Sequence, residues 1–222
     1  MSSRCEAWRA TLTRFTGFYV IPLGVVVLLL QVPASYGLSD DWRLEKVDHG
    51  VKVYSRAVSH SPIRAVKGEV IINTDIESAV DFLANVELRP SWDEMCVEAY
   101  LVASPAADVE QIYVHHDLPW PVKDRDMIME VKWHRDTDTG VATMHGKAIA
   151  SGVPEYGDRV RVRDSVNSWV ITPLAQGGIS LEAEMHADPA GPIPAWLLNW
   201  LSVEAPITTL QKIKAILEAQ TS

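Results

Sequence analysis

His115-His116-Asp117 is the densest group of metal-capable and proton-transferring side chains in the chain, with further histidines at His134, His145 and His186. Adjacent strand residues point to opposite faces, so His115 and His116 cannot both ligate one ion, and no metal centre is expected. His116 is expected instead as a hydrogen-bond partner for a ligand hydroxyl. Asp93, Glu94 and Asp117 could serve as acids or bases, but nothing in their spacing brings two carboxylates together, and a solvated surface is their expected place. Gly177-Gly178 and Pro189-Ala190-Gly191-Pro192 lack the strand-to-helix spacing of a phosphate loop, and there is no nucleophile elbow or HExxH. The pattern therefore implies no catalytic constellation and no cofactor. Arg125, between Asp124 and Asp126, has the geometry of a charge-assisted fork with a carboxylate that pins its loop, the alternative being a phosphate ligand.

The elements that must position these residues are mostly strands. Period-two alternation between turn signals places strands at 42–47, 51–58, 65–72, 97–103, 110–116, 127–133, 141–147, 159–163, 168–172 and 179–186. This is an antiparallel meander rather than a βαβ array. Thr74-Asp75-Ile76-Glu77 reads as a capping box for a helix through about Asn85. From Pro194 to Ala219, Trp196, Trp200, Val203, Ile207, Leu210, Ile213 and Leu217 recur at three and four, a long helix that Pro206 should kink or briefly break. The fold class is α+β: a curved antiparallel sheet around a long C-terminal helix, an arrangement able to enclose an apolar cavity.

Composition bounds the function. The 222 residues are 47% apolar and 22% charged, which suits one globular domain and excludes a disordered or low-complexity chain. With 20 Lys+Arg against 29 Asp+Glu the formal charge is -9, so the footprint of a nucleic-acid binder is missing. Cys5 and Cys96 cannot form a disulfide framework, and Cys96 is expected as a buried apolar filler. Arg4, Arg9 and Arg14 precede a charge-free run from Phe15 to Ser39 with an apolar centre at 20–30. Residues 1–37 therefore read as a secretory signal peptide, or alternatively as a retained membrane anchor, ahead of a single domain at 38–222. Either reading exports the domain, to the periplasm or beyond.

Leu118-Pro119-Trp120-Pro121-Val122-Lys123-Asp124-Arg125-Asp126 and the strand after it resemble the central signature of the StAR-related lipid-transfer (START) family. His186 to Asn199, through Asp188-Pro189-Ala190-Gly191-Pro192, resembles that family's approach to its C-terminal helix, with Ala190 where glycine is more usual. Ser91-Trp92-Asp93 and Trp169 to Pro173 fall in the expected order, so the resemblance spans 42–217. It implies a helix-grip fold whose hydrophobic tunnel holds one lipid or sterol, without catalysis. Sterol-binding members carry an arginine six residues beyond the motif arginine. Here that place is Val131, which leaves phospholipid, acyl and isoprenoid ligands open.

If Val131 faces the tunnel, period two puts Met129 and Trp133 beside it. Met144, Trp169, Ile171 and Met185 are expected as further wall residues, with Leu197, Leu201, Leu210 and Ile213 from the helix. Arg125 and Asp126 are expected to be structural. The helix, with Pro206 near its middle, is the expected gate, and residues 196–201 are expected to touch a membrane transiently. A monomer that carries or senses a hydrophobic ligand is the reading these features carry, and a superfamily enzyme with a cavity histidine as general base is the alternative.

Overall fold

A computed structural model describes residues 42–150 and 152–220, all within one unit, Asp40–Ser222. Residues 1–37, read above as a signal peptide or anchor, lie outside the described residues. Among the described residues no helix is long and apolar enough to cross a membrane.

Among the described residues ten strands form one sheet: β1 Arg43–Asp48, β2 Val51–Arg56, β3 Ala65–Ile72, β4 Cys96–Ala106, β5 Val109–His116, β6 Asp124–Arg135, β7 Ala142–Ala148, β8 Arg159–Arg161, β9 Asp164–Pro173 and β10 Ile179–Asp188. Each overlaps an expected strand. The order is β1-β2-β3-β10-β9-β7-β6-β5-β4, with β8 pairing parallel to β6. It is not a simple meander, because the chain leaves β3 through short helices to the far edge and returns strand by strand to pair β10 with β3. Periodicity carries no information about that long-range pairing.

Helix α1, Ile76–Ala84, starts where expected but is capped differently. The Asp75 carboxylate accepts from the Ser78 amide at 2.9 Å, and Thr74 is buried. Aspartate caps as well as threonine and adds a negative charge at the helix N-terminus. Helix α2, Arg89–Trp92, has only four residues, too few for a periodic signal. Helix α3, Ala195–Gln220, runs unbroken through Pro206, which removes one amide donor without ending the helix.

The core lies between the sheet and α3. Val51, Val53, Val70 and Ile72 on one side meet Ile207, Leu210, Ile213 and Leu217 of the helix. Gly68 on β3 makes this close approach possible, since a Cβ there would sit 2.4 Å from Leu210 Cδ1. The buried face of the first half of α3 is Leu197 and Ala205, not the expected Trp196, which is exposed.

Candidate functional site

Between the inner face of the sheet and the helices, three small chambers share walls in sequence, the first against α1 and α2 and the other two against α3. The innermost, about 30 Å³, is bounded by Arg89, Trp92, Glu110, Trp133, Asn167 and Trp169, with Met129, Val131 and Met144 along the strands. A middle chamber of about 120 Å³ shares Arg89, Trp92, Asn167 and Trp169 with it and adds Asp93, His116, Leu201 and Leu210. The outer chamber, about 110 Å³, shares His116, Met185 and Leu201 and is mainly apolar, with Leu118, Met127 and Leu198, while Arg64, Arg125 and Ser202 also border it. A wider concavity of about 560 Å³ lies on the opposite face, but its rim is charged side chains such as Arg56 and Glu184, which pair with each other.

Nine of the twelve residues expected to line a cavity border these chambers: His116, Met129, Val131, Trp133, Met144, Trp169, Met185, Leu201 and Leu210. The inward parity of Met129, Val131 and Trp133 follows from strand alternation. Ile171, Leu197 and Ile213 do not border them. Each is fully buried, packed in places where sheet and helix leave no gap. Met185 stands at the rim, 42% exposed.

The two histidines diverge as alternation requires. His115 faces outward, its Nε2 2.9 Å from Asp124. His116 faces inward, its Nε2 3.3 Å from Asp93 Oδ2. Asp93 is buried rather than solvated, and the same oxygen accepts from Arg89 Nε at 2.9 Å. Arg89 stacks over Trp92, 5.1 Å from the ring centroid, and Trp92 meets Trp169 edge-on at 5.4 Å. The terminal amino groups of Arg89 have no partner among the described residues, and the Trp92 indole N–H is buried without an acceptor. The chambers thus offer unused hydrogen-bond donors beside a guanidinium, an arrangement suited to an anion.

Burial alone would raise the Asp93 pKa, but the His116 and Arg89 charges and their hydrogen bonds outweigh it and hold the carboxyl well below the usual range. A folded pKa below the unfolded value of about 3.9 stabilises the protein above that pH and is lost as pH falls toward the folded value. The parent should therefore lose urea resistance between pH 5 and pH 3, and Asp93→Asn should lose less over the same interval. An equal loss in both would remove Asp93 as a contributor.

Arg125 is buried but does not form the expected carboxylate fork. It donates to the carbonyls of Pro189 at 2.8 Å and Ala190 at 2.7 Å, and to that of Lys123. It ties the turn before α3 to β6, a turn in which Ala190 is held at φ 55°. Asp126 faces outward and takes two hydrogen bonds from Arg161, at 2.8 and 2.9 Å, and one from Tyr113 at 3.1 Å.

Sequence reasoning passed over Arg89, Trp92, Asp93, Glu110 and Asn167 as cavity residues. The signal available was Arg89 and Asp93 at i and i+4 with Pro90 at a helix start, a spacing that pairs side chains. Glu110 shares parity with Ile112 and Val114, which alternation could have placed inside.

A family profile described as START domain matches residues 36–222. An uncharacterized protein of Pseudomonas aeruginosa is 32% identical over 200 residues, covering 88% of this chain and 98% of its own. The human phosphatidylcholine transfer protein is 26% identical over 176 residues, covering 77% and 80%. Among solved structures, a STAR-related lipid transfer protein of Xanthomonas axonopodis superposes with a TM-score of 0.73 at 30% identity, covering 80% of this chain and 99% of that one.

Proposed function

The chain belongs to the START domain family of lipid-binding proteins, and on that premise we propose that it carries one phospholipid, head group innermost, outside the cytoplasm. The observation that carries this reading is Arg89: a guanidinium on the cavity wall with its terminal donors unspent, suited to a bidentate phosphate contact. The middle and outer chambers are mainly apolar and suit acyl chains, each buried CH₂ contributing about 0.8 kcal/mol. The likeness to phosphatidylcholine transfer proteins supports a phospholipid over a sterol. Export is supported by the basic, then apolar, N-terminal pattern.

Ligand pockets commonly occupy about 300–1,000 Å³, so the chambers must merge to admit a lipid. The polar ties of α3 favour its first half as the moving part. Lys46–Glu204, Gln211 to the Asp48 carbonyl, Lys212–Glu94 and Lys214 to the Ile71 carbonyl all lie at or beyond residue 204. Residues 195–203 make no side-chain hydrogen bond to the sheet among the described residues, and Pro206 stands next to the boundary. Trp196, 56% exposed, and Trp120, 91% exposed in the loop before β6, lie on the segments flanking the outer chamber and suit the interfacial region of a membrane. On this reading the protein transfers its lipid between membranes as a monomer.

Transfer of fluorescent phospholipid between vesicles tests the function. Transfer in proportion to protein concentration is expected, and none with any phospholipid would overturn it. Pro206→Ala restores a helix amide and should slow transfer several-fold while raising stability, by up to the ~3 kcal/mol that separates the two residues in helices. Unchanged transfer would place the gate elsewhere.

The His116–Asp93 pair favours a second reading, a superfamily enzyme with His116 as general base. The shared hold of Arg89 on Asp93 counts toward a static anion site instead. Turnover of a bound lipid that disappears in His116→Ala would reverse that preference.

A further inference from the structure

Glu110 is the one carboxylate bordering the innermost chamber, and among the described residues it makes no hydrogen bond or ion pair. Strand parity turns it inward with Ile112 and Val114, and it stands opposite Val131 on β6. Three tryptophans, Trp92, Trp133 and Trp169, border the same small space. Two further atoms there are unspent: the indole N–H of Trp92, a residue 3% exposed, and the buried Asn167 Oδ1. Asn167 lies against Gly146, where a Cβ would stand 2.0 Å from Oδ1, so the missing side chain at 146 is what lets the carboxamide occupy the wall.

Arg89 and Glu110 thus border one chamber with opposite charges and do not pair with each other. A lone carboxylate half out of water is costly unless a cation or donor meets it. Aromatic faces attract cations, and a carboxylate with an amide oxygen accepts hydrogen bonds. An ammonium bearing N–H groups satisfies the carboxylate, the amide oxygen and the rings at once, though not the Trp92 indole N–H, which needs an acceptor. A quaternary ammonium satisfies only the charge and the rings, leaving the acceptors empty.

We propose that Glu110 and Asn167, among the three tryptophans, form a subsite for a primary ammonium, so that the preferred ligand is a phospholipid whose head group ends in an amine. The proposal rests on the phospholipid-carrier reading above and deepens it. With the phosphate on Arg89, the amine extends a few bonds further inward to Glu110. Anionic head groups without an amine leave Glu110 unpaired and meet its charge.

The test is competitive loading. The purified protein is incubated with vesicles containing equal amounts of phosphatidylethanolamine, phosphatidylcholine and phosphatidylglycerol, and bound lipid is read by native mass spectrometry after re-isolation. The parent should take phosphatidylethanolamine over phosphatidylglycerol by about tenfold or more, with phosphatidylcholine between them. Glu110→Gln, which keeps the shape and removes the charge, should bring that ratio toward one by lowering phosphatidylethanolamine uptake while phosphatidylglycerol uptake holds or rises, and Glu110→Asp should keep part of the preference. An unchanged ratio in Glu110→Gln with intact loading overturns the amine subsite alone, as does a parent that favours phosphatidylcholine or phosphatidylglycerol. A parent that takes up no phospholipid overturns both this subsite and the carrier reading.

Discussion

Arg161→Ala should lower folding stability by about 3–5 kcal/mol, the usual result of stranding a buried charge. Asp126 is 1% exposed at its side chain and Arg161 only 6%, joined by two hydrogen bonds of 2.8 and 2.9 Å. Arg161 also donates to the carbonyls of Val153 and Pro154, so one guanidinium holds the segment before β8 onto the outer face of β6. Removing it leaves the carboxylate with Tyr113 as its remaining side-chain donor, and the carbonyls without theirs. For a domain of this size the melting temperature should fall by about 10 °C or more. Arg163→Ala is the matched control: Arg163 is 58% exposed and its pair with Glu155 is solvated, so the change should stay within roughly 1 kcal/mol. Equal melting temperatures for the two variants would show that the buried pair contributes nothing.

Arg89→Ala should abolish most phospholipid loading. A hydrogen bond to a charged group contributes about 1.5–3 kcal/mol, so losing the fork should weaken binding by about ten- to a hundredfold. The same change frees Asp93 from one of its two side-chain donors, so part of the effect will be on stability, and loading must be measured on folded protein. Arg89→Lys separates the two causes. It keeps the charge near Asp93 but presents a point donor instead of a planar fork, and should fall between parent and alanine variant. Loading of Arg89→Ala equal to that of the parent would remove the phosphate from this place.

Much of the fold was legible because it rests on local pattern. The strand set, the start of α1 and the reach of α3 follow from alternation, capping chemistry and three-four spacing. The β3 to β10 pairing was not, since it joins segments over a hundred residues apart and no local preference encodes it. The wall residues on β6, β7 and β9 were readable because period two sorts inward from outward. Ile171, Leu197 and Ile213 face the right way, yet packing at those levels is complete, and whether an inward residue meets a gap or a neighbour depends on distant side chains. The polar end of the cavity was the least legible part. Its charges come from a four-residue helix without periodicity and from a strand glutamate that composition alone assigns to solvent. Burial of Asp93 is decided by Arg89 and His116, one of them on another element.

Native mass spectrometry of the purified protein, followed by extraction and analysis of whatever lipid it holds, tests the central claim most directly. One phospholipid per chain is the expected result, lost on Arg89→Ala. Protein that is free of lipid as isolated and takes up none from phospholipid vesicles would contradict it.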